Sequence, residues 1–351
     1  MKAEKTIGIC VPLEQAETIR KYLIENNLLR TDLKINKDKT YIYIPIKKIP
    51  KKTKHDTFKI IKKRFEKHHI KPRSYKETTS LPKKLRHELP TSYDIIGDII
   101  LIKLAKKLQK YKKEIGESLL KSNKNIKTIC LTQPVTGELR TRDVEVIAGE
   151  KRTHTTHKEY NLKFDLNVEK TYFSPRLATE RKRIASLVKP NEIIVDMFTG
   201  VAPFSIMIAK YADPKIIYAI DKNEDAIKYA KLNIKRNNLL DKVEVIHADA
   251  EKVYNILDEK GVKADRIIMN LPFSAYVFFP YALKIIANVC TIYYYDIIKE
   301  GETKERVENL KKIAEEDNIT LTNLDIRKIK TYAPREFYIG VDITAKKNTP
   351  M

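Results

Sequence analysis

The segment of residues 172–221 constrains the fold of this chain more than any other. It predicts a strand at residues 193–198, followed by a turn that contains Gly200. A helix from about Pro203 and a second strand that ends in Asp221 come next. This order of elements, with about twenty residues between glycine and acid, is typical of a nucleotide-binding βαβ unit whose acid binds ribose hydroxyls. The sequence therefore predicts an α/β fold.

The turn departs from the pattern of dinucleotide-binding proteins. Those proteins use three glycines to bring the backbone close to a pyrophosphate, whereas here Ala202 occupies the place of a second glycine. This difference argues against a bound pyrophosphate. It favours a nucleoside-like cofactor without phosphates, above all S-adenosylmethionine.

Polar residues recur where the predicted strands of the C-terminal half end. Strands are predicted near residues 193, 215, 242, 264 and 289, with helices between them, so the sheet is expected to be largely parallel. Ligands of such sheets bind at the carboxyl ends of the strands. We expect Asp221 to bind ribose hydroxyls and Asp249 to accept from an adenine amino group, with Asp196 and Asn270 nearby. Each aspartate could instead only cap a helix.

The composition indicates a polyanionic partner. The 351 residues include 69 Lys or Arg and 46 Asp or Glu, which gives a formal net charge of +23. Nucleic acid is the usual partner of such an excess, although a lysine-rich surface that only confers solubility is an alternative. Neither the three cysteines nor His154 and His157, near a predicted turn, suggest a metal site. The interrupted apolar segments predict no membrane span, and we expect a cytoplasmic protein.

The N-terminal half is expected to hold two small α+β modules. Strands at 7–11 and 41–46 and a helix at 13–29 predict the first. Residues 51–75 carry ten Lys or Arg, and their apolar residues at helical spacing predict a basic amphipathic helix. Residues 72–90 resemble a linker. The second module is predicted from strands at 93–104, 126–132, 143–147 and 162–168 and a helix at 108–121.

Three further features carry candidate chemistry. Glu180 lies on an apolar helical stripe, where partial burial would raise the pKa of its carboxyl group and make it a better base, unless it pairs with a nearby arginine. Arg140 and Arg142 would share one face of a strand and could bind phosphate or an oxyanion. Residues 270–273, NLPF, could present hydrogen-bond acceptors to a base edge, with Phe273 available for stacking.

These motifs together resemble a known family, the archaeal and eukaryotic tRNA (guanine-N1)-methyltransferases that modify the guanosine 3′ of the anticodon. The resemblance covers roughly residues 137–343. It rests on the motifs GELRTR, AGEKRT, HKE, TYFSPRLATER, DMFTGVAPF, AID, NLP and YAPRE. Relatives in wyosine synthesis share these features. The N-terminal module resembles the family's first domain more weakly.

The resemblance implies a Rossmann-like class I methyltransferase domain with a mixed seven-stranded sheet and two smaller N-terminal α+β domains. It implies a tRNA-recognition domain at 1–71, a linker at 72–90, an RNA-binding domain at 91–171 and a catalytic domain at 172–351. The expected cofactor is S-adenosylmethionine and the expected partner is tRNA, with no metal, no membrane and a monomeric state.

The resemblance also implies roles for individual residues. Glu180 is expected as the general base on guanine N1, Arg140 as the group that stabilises charge on O6, and Asn270 and Pro272 as contacts to the base. The expected cofactor contacts are Tyr172, Arg176, Asp196, Phe198, Gly200, Asp221, Asp249 and Asn270. Ala202 in the cofactor loop and Phe273 after NLP depart from the family pattern, and Phe273 leaves open a second methylation, on C7 of a wyosine precursor.

Three other functions remain open from the sequence. A related enzyme could transfer the aminocarboxypropyl group of the same cofactor. An RNA or DNA amino-group methyltransferase could use the NLPF tetrad. A non-enzymatic RNA-binding module is the third alternative, but the carboxylates at successive strand ends argue against it.

Overall fold

The chain divides into two compact units, Met1–Glu77 and Thr78–Met351. The structure, a computed structural model, describes residues 3–50, 58–67, 74–133 and 142–348. The boundary lies within the segment predicted as a linker. The further division of the second unit at about residue 171 stays a prediction.

The first unit is an α+β module, as the sequence predicts. Its helix α1 (Ala16–Glu25) is shorter than expected because residues 13–15 form a 3₁₀ turn. Its antiparallel sheet has the order β2-β3-β1-β4. The strands are β1 (Ala3–Pro12), β2 (Asn36–Lys37), β3 (Tyr41–Pro45) and β4 (Lys59–Glu66).

The predicted basic helix at 51–75 is wrong in the part that the structure describes, because this part contains strand β4. Ile61 and Phe65 are four residues apart, which fits a helix, but it fits an alternating strand equally well. The Phe65 side chain is buried, and its ring packs against Gly8 on β1. A Cβ atom added at Gly8 would lie only 2.7 Å from the Phe65 ring. The lysines and arginines of β4 therefore lie on an edge strand that contributes the buried Phe65 side chain.

The predicted linker is only partly correct. Residues 74–90 form two short helices, α2 (Tyr75–Thr78) and α3 (Lys83–Arg86). Leu81 and Leu89 are buried, and the Thr79 hydroxyl donates to Glu114 at 3.0 Å. Residues 78–90 are therefore a packed part of the second unit.

The second unit contains a small mixed sheet and a separate hairpin. The small sheet has the order β5-β6-β7-β8, with only β6 and β7 parallel. His154 and His157 lie on β9, the first strand of the hairpin, whose turn follows at residues 160 and 161. The elements are β5 (Asp94–Ile96), β6 (Ile99–Ile102), α4 (Lys112–Ser122), β7 (Thr128–Thr132), β8 (Val144–Gly149), β9 (His154–Glu159) and β10 (Leu162–Asn167).

A seven-stranded sheet forms the rest of the second unit, in the order β13-β12-β11-β14-β15-β17-β16. The first five strands are parallel, and β17 is antiparallel to both neighbours, as the sequence predicts. The strands are β11 (Ile193–Asp196), β12 (Ile216–Asp221), β13 (Val243–His247), β14 (Ala264–Met269), β15 (Ile286–Lys299), β16 (Ile319–Ala333) and β17 (Glu336–Lys347). The helices are α5 (Ala178–Leu187), α6 (Pro203–Tyr211), α7 (Glu224–Arg236), α8 (Val253–Glu259), α9 (Ala275–Lys284) and α10 (Thr303–Glu316).

Both faces of this sheet are buried, as expected for a sheet with helical crossovers. On β11, Ile194 and Val195 point to opposite faces and are fully buried in two separate apolar clusters. The cluster around Ile194 also contains Leu101 from the small sheet and Phe164 from the hairpin. This shared core explains why residues 78–351 form one compact unit.

The edge strand β16 is long but irregular. Its pairing with β17 shifts register at three places, between residues 322 and 325, 328 and 330, and 331 and 333. Asn323 at the first shift adopts a left-handed conformation with φ of 49°. These bulges bend the edge of the sheet.

The shared core leads to a prediction about truncation. A chain that begins at Thr78 keeps both apolar clusters and all seven strands of the large sheet, so we expect it to fold cooperatively. Circular dichroism and thermal unfolding would test this expectation. As a control, a chain that begins at residue 112 loses β5 and β6 from the shared core and should unfold at a lower temperature. Loss of cooperative unfolding on removing only residues 1–77 would contradict the prediction.

Candidate active site

A cavity of about 820 Å³ opens at the carboxyl ends of β11, β12, β13 and β14. Three parts of the second unit contribute to its walls. They are the strand ends themselves, the small sheet with Asp94 and Arg142, and the C-terminal hairpin with Lys330 and Tyr332. This location is where α/β proteins bind ligands, as the sequence predicts.

The glycine turn is held by the acid that ends the second strand. The Gly200 N–H donates to one oxygen of Asp221 at 2.7 Å, and the Asn223 N–H donates to the other at 2.9 Å. Burial raises the pKa of the Asp221 carboxyl group despite these two hydrogen bonds. Gly200 has a left-handed backbone with φ of 56°, which suits glycine, and both residues line the cavity.

The neighbouring wall suits a planar base. The rings of Phe198 and Phe278 meet edge to face with centroids 5.2 Å apart, and both line the cavity. Asp249 also lines it and accepts from the Glu251 N–H at 3.2 Å, so it caps a 3₁₀ turn as well as facing the cavity. Lys222 lies 3.8 Å from this carboxylate. The Asp249 carboxylate beside the Phe198 and Phe278 rings suits an adenosine group, whose amino group can donate to the carboxylate while its base contacts a ring.

Asp196 is placed differently from the prediction, since it is fully buried behind the turn and is not among the residues lining the cavity. One of its oxygens accepts from the hydroxyls of Thr199 and Ser205 at 2.9 and 2.7 Å. The other oxygen has no hydrogen-bond partner among the residues that the structure describes, and burial raises the pKa of this group to about 6. Its predicted contact with a cofactor stays a prediction, and in this structure its carboxylate anchors the turn through Thr199.

Basic and aromatic groups form the outer wall. The Arg142 guanidinium lies 5.3 Å from the centroid of the Tyr172 ring, and Arg176 donates to Asp94 at 2.7 Å. Burial lowers the pKa of the Lys330 ammonium in this wall. All of these groups line the cavity. Arg140 lies outside the described residues, so its predicted role is not tested.

The NLPF segment follows β14 at the floor of the cavity. Asn270 Oδ1 accepts from the Tyr338 hydroxyl at 2.5 Å, and Pro272 lines the cavity beside it. Phe273 adopts a left-handed backbone with φ of 77°, is 56% exposed, and meets the Tyr332 ring edge to face at 5.3 Å. Such a conformation is rare for a bulky residue, and it places an aromatic ring at the cavity mouth.

Glu180 is buried in an ion-pair network and is not among the lining residues. It accepts from Arg183 at 2.8 and 2.9 Å, from Arg327 at 3.2 and 3.3 Å, and from the Tyr295 hydroxyl at 2.8 Å. Both arginines also bind Asp342. Burial acts to raise the pKa of Glu180, but its hydrogen bonds and the charges of the arginines outweigh this effect and lower the pKa. Pairing with a nearby arginine is the alternative that the sequence left open, and the bonds to Arg183 bear it out.

The sequence analysis missed the contribution of the C-terminal hairpin to this site. Lys330, Tyr332 and Tyr338 reach the cavity or its floor from strands more than fifty residues after Asn270. The only available signal was the YAPRE motif at the turn of the hairpin. Among the described residues, no group of three His, Cys, Asp or Glu is placed to hold a metal ion. No helix of the described part is long and apolar enough to span a membrane.

The sheet order, the cavity and its residues define the class I methyltransferase fold. The sequence matches the TRM5/TYW2 methyltransferase domain at residues 155–322. It also matches the TYW2 N-terminal domain at 77–153 and the tRNA methyltransferase 5 N-terminal domain at 8–54.

Individual relatives agree with these matches. The tRNA (guanine(37)-N(1))-methyltransferase Trm5b of Pyrococcus abyssi is 38% identical over 96% of this chain and 98% of its own length. A tRNA(Phe) (4-demethylwyosine(37)-C(7)) aminocarboxypropyltransferase of Methanocaldococcus jannaschii is 38% identical over 71% of this chain and 96% of its own. The solved complex of aTrm5 and tRNALeu superposes with a TM-score of 0.78 at 36% identity, over 97% of this chain and 100% of that one. This chain belongs to the TRM5/TYW2 methyltransferase family.

The geometry of Asp221 leads to a binding prediction. Replacing Asp221 with Ala removes a carboxylate that orders the glycine turn and faces the cavity, so S-adenosylmethionine affinity should fall by roughly 10- to 100-fold. Isothermal titration calorimetry would measure this loss. Asp241→Ala, at an exposed acid after α7, serves as the control and should bind like the wild type. Unchanged affinity in Asp221→Ala would remove Asp221 from the cofactor site.

The Glu180 network leads to a prediction about pH and stability. Because the folded pKa lies below the usual value of 4.5, the stability that this carboxylate contributes is present above about pH 4.5. It is lost as the pH falls through the folded pKa. The difference in unfolding free energy between wild type and Glu180→Gln should therefore shrink below pH 4.5. Urea unfolding at several pH values would measure it, with the exposed Glu316→Gln as the control. A difference that stays constant with pH would contradict the network.

Proposed function

We propose that this protein uses S-adenosylmethionine to methylate N1 of the guanosine 3′ of the anticodon, position 37, in tRNA. The main support is the cavity. One of its walls, at Asp221, suits an adenosine group, and Asn270 and Pro272 lie at its floor. The similarity to Trm5b over nearly the whole chain, and to a structure solved with tRNA, supports this proposal. The net charge of +23 suits a nucleic acid substrate.

The reaction makes two demands on the protein. Guanine N1 carries a proton at neutral pH and must lose it before it becomes a good nucleophile. As the proton leaves, negative charge grows on O6, and a fixed donor or cation lowers the barrier by stabilising it. S-adenosylmethionine supplies the methyl group. We assign O6 stabilisation to Arg140, and contacts with the base to Asn270 and Pro272.

The Glu180 carboxylate is our candidate for the proton acceptor. Its lowered pKa keeps it ionised at neutral pH, which an acceptor requires, but also weakens its affinity for a proton. Its oxygens are occupied by Arg183, Arg327 and the Tyr295 hydroxyl. Glu180 can therefore act as base only if substrate binding rearranges this network. The alternative is that Glu180 only anchors α5 to the C-terminal hairpin.

Wyosine synthesis supplies the second candidate function. The similarity to the aminocarboxypropyltransferase and the exposed Phe273 ring favour testing the larger tricyclic base as a substrate. N1 methylation adds 14 mass units to guanosine, whereas aminocarboxypropyl transfer adds a larger, amino-acid-bearing group. Mass analysis of nucleosides from tRNA treated with the protein would distinguish N1 methylation, C7 methylation, aminocarboxypropyl transfer and methylation of an amino group. If no nucleoside is modified, the protein would only bind RNA and the proposed reaction would be excluded.

We further propose that the first unit, with the basic strand β4, contributes to tRNA recognition, and that the protein acts as a cytoplasmic monomer. Lys62 and Arg64 on β4 are exposed, as phosphate contacts must be.

The role of Glu180 can be tested by comparing two carboxylates of one network. If Glu180 takes the proton, Glu180→Gln should slow single-turnover methylation by roughly 10²- to 10⁴-fold with little change in tRNA or cofactor affinity. Asp342→Asn is the matched control, because Asp342 binds the same two arginines. It should lose much less. Similar losses in both variants would show that only the network matters, and the base would lie elsewhere.

A further inference from the structure

The Tyr338 hydroxyl donates a hydrogen bond to a side chain at the cavity floor. Tyr338 lies on β17, opposite Ile297 of β15 and Lys330 of β16, and its side chain is only 2% exposed. Its hydroxyl contacts Asn270 Oδ1 at 2.5 Å. The phenol therefore approaches Asn270 from within the sheet.

The surroundings of Tyr338 restrict its ring. The ring of Tyr295 packs against it with centroids 6.0 Å apart, and the Lys330 ammonium lies 5.1 Å from its centroid. The Tyr295 hydroxyl is in turn bonded to Glu180 at 2.8 Å. A buried ring between two strands and two side chains has few alternative rotamers, so its hydroxyl has a defined position.

The direction of this hydrogen bond, from the Tyr338 hydroxyl to Oδ1, sets which end of the Asn270 amide faces the cavity. An asparagine amide carries an acceptor oxygen and a donor amino group in a nearly symmetric shape, and its neighbours decide its orientation. The Tyr338 hydroxyl donates to the amide oxygen Oδ1. The amino group then becomes the end that Asn270 offers to a ligand.

The exposed end of the amide selects the ligand. An amino group pairs with an acceptor, such as the O6 carbonyl of guanine, and meets a donor unfavourably at the amino group of adenine. A donor near O6 also becomes more effective as negative charge develops there.

We propose that Tyr338 is a positioning residue that fixes the Asn270 amide with its amino group toward O6 of the target guanine. This proposal rests on the proposed function. It assigns Asn270 as a donor, whereas the sequence suggested that the NLPF segment presents acceptors. The selection of guanine over adenine at this point follows from a buried phenol that never touches the substrate.

Single-turnover methylation of tRNA by four variants tests the coupling. Asn270→Ala and Tyr338→Phe should each slow methylation, by roughly 10- to 100-fold and about 10-fold, because a hydrogen bond to developing charge is lost or misdirected. The double variant should be no slower than Asn270→Ala alone, since Tyr338 acts through Asn270. Fully additive losses, or a wild-type rate in Tyr338→Phe, would overturn the proposal.

Tyr294→Phe is the matched control. Tyr294 is equally buried in the same sheet, but its hydroxyl bonds Asp296 on the opposite face. Both Tyr→Phe variants should lower the unfolding temperature, yet only Tyr338→Phe should change the rate. Equal rates in the two variants at equal S-adenosylmethionine affinity would show that Tyr338 is only structural.

A substrate change tests the direction of the amide. Inosine keeps O6 and the N1 proton of guanosine but lacks the 2-amino group. If the Asn270 amino group faces O6, Asn270→Ala should cost the same factor on tRNA with inosine at position 37 as on tRNA with guanosine. A clearly smaller cost on inosine would mean that Oδ1 accepts from the 2-amino group, and would overturn the proposal. Failure of the wild type to methylate either tRNA would instead overturn the proposed function.

Discussion

The carboxylate of Asp221 holds the rest of the site in place. It joins the turn after β11 to the start of α7 through backbone N–H groups of Gly200 and Asn223, and so sets the shape of the cavity wall. The turn itself is under strain, because Ala202 adopts a left-handed backbone with φ of 66°, which costs an L-residue roughly 1–2 kcal/mol. Ala202 is fully buried in the apolar cluster around Ile194. Packing of its methyl group offsets part of this strain, which accounts for a non-glycine residue at this position.

Local patterns predicted the large sheet well. Strands of a parallel sheet with helical crossovers produce apolar runs, turns and strand-end acids that can be read without distant information. The βαβ unit around Gly200 and Asp221 was correct for this reason. The basic helix at 51–75 failed because a spacing of four residues fits both a helix and a strand, and the partner that decides between them, Gly8 on β1, lies far away in sequence.

Individual roles at the site were harder to predict. The environment of Glu180 depends on Arg327 and Asp342, more than 140 residues later, and nothing in the helix that contains Glu180 indicates those partners. Of the two possibilities that the sequence left open for Glu180, a raised pKa or an arginine pair, the network selects the pair and lowers the pKa. Asp196 lies at a strand end like Asp221, yet its side chain points into the interior. The sequence thus predicts that an acid ends a strand. Whether its side chain faces the cavity or the interior can be read only from the structure.

The irregular edge strand β16 has a consequence for the chain in the crowded cell. An unbroken fifteen-residue edge would expose a row of unpaired backbone groups that could recruit a second molecule and begin aggregation. Here three register shifts interrupt that row, and the exposed Lys328 adds a positive charge to it. Two of these shifts lie beside Lys330 and Tyr332, which line the cavity, so the stretch of strand that contributes to the ligand site is also the stretch least suited to intermolecular strand addition.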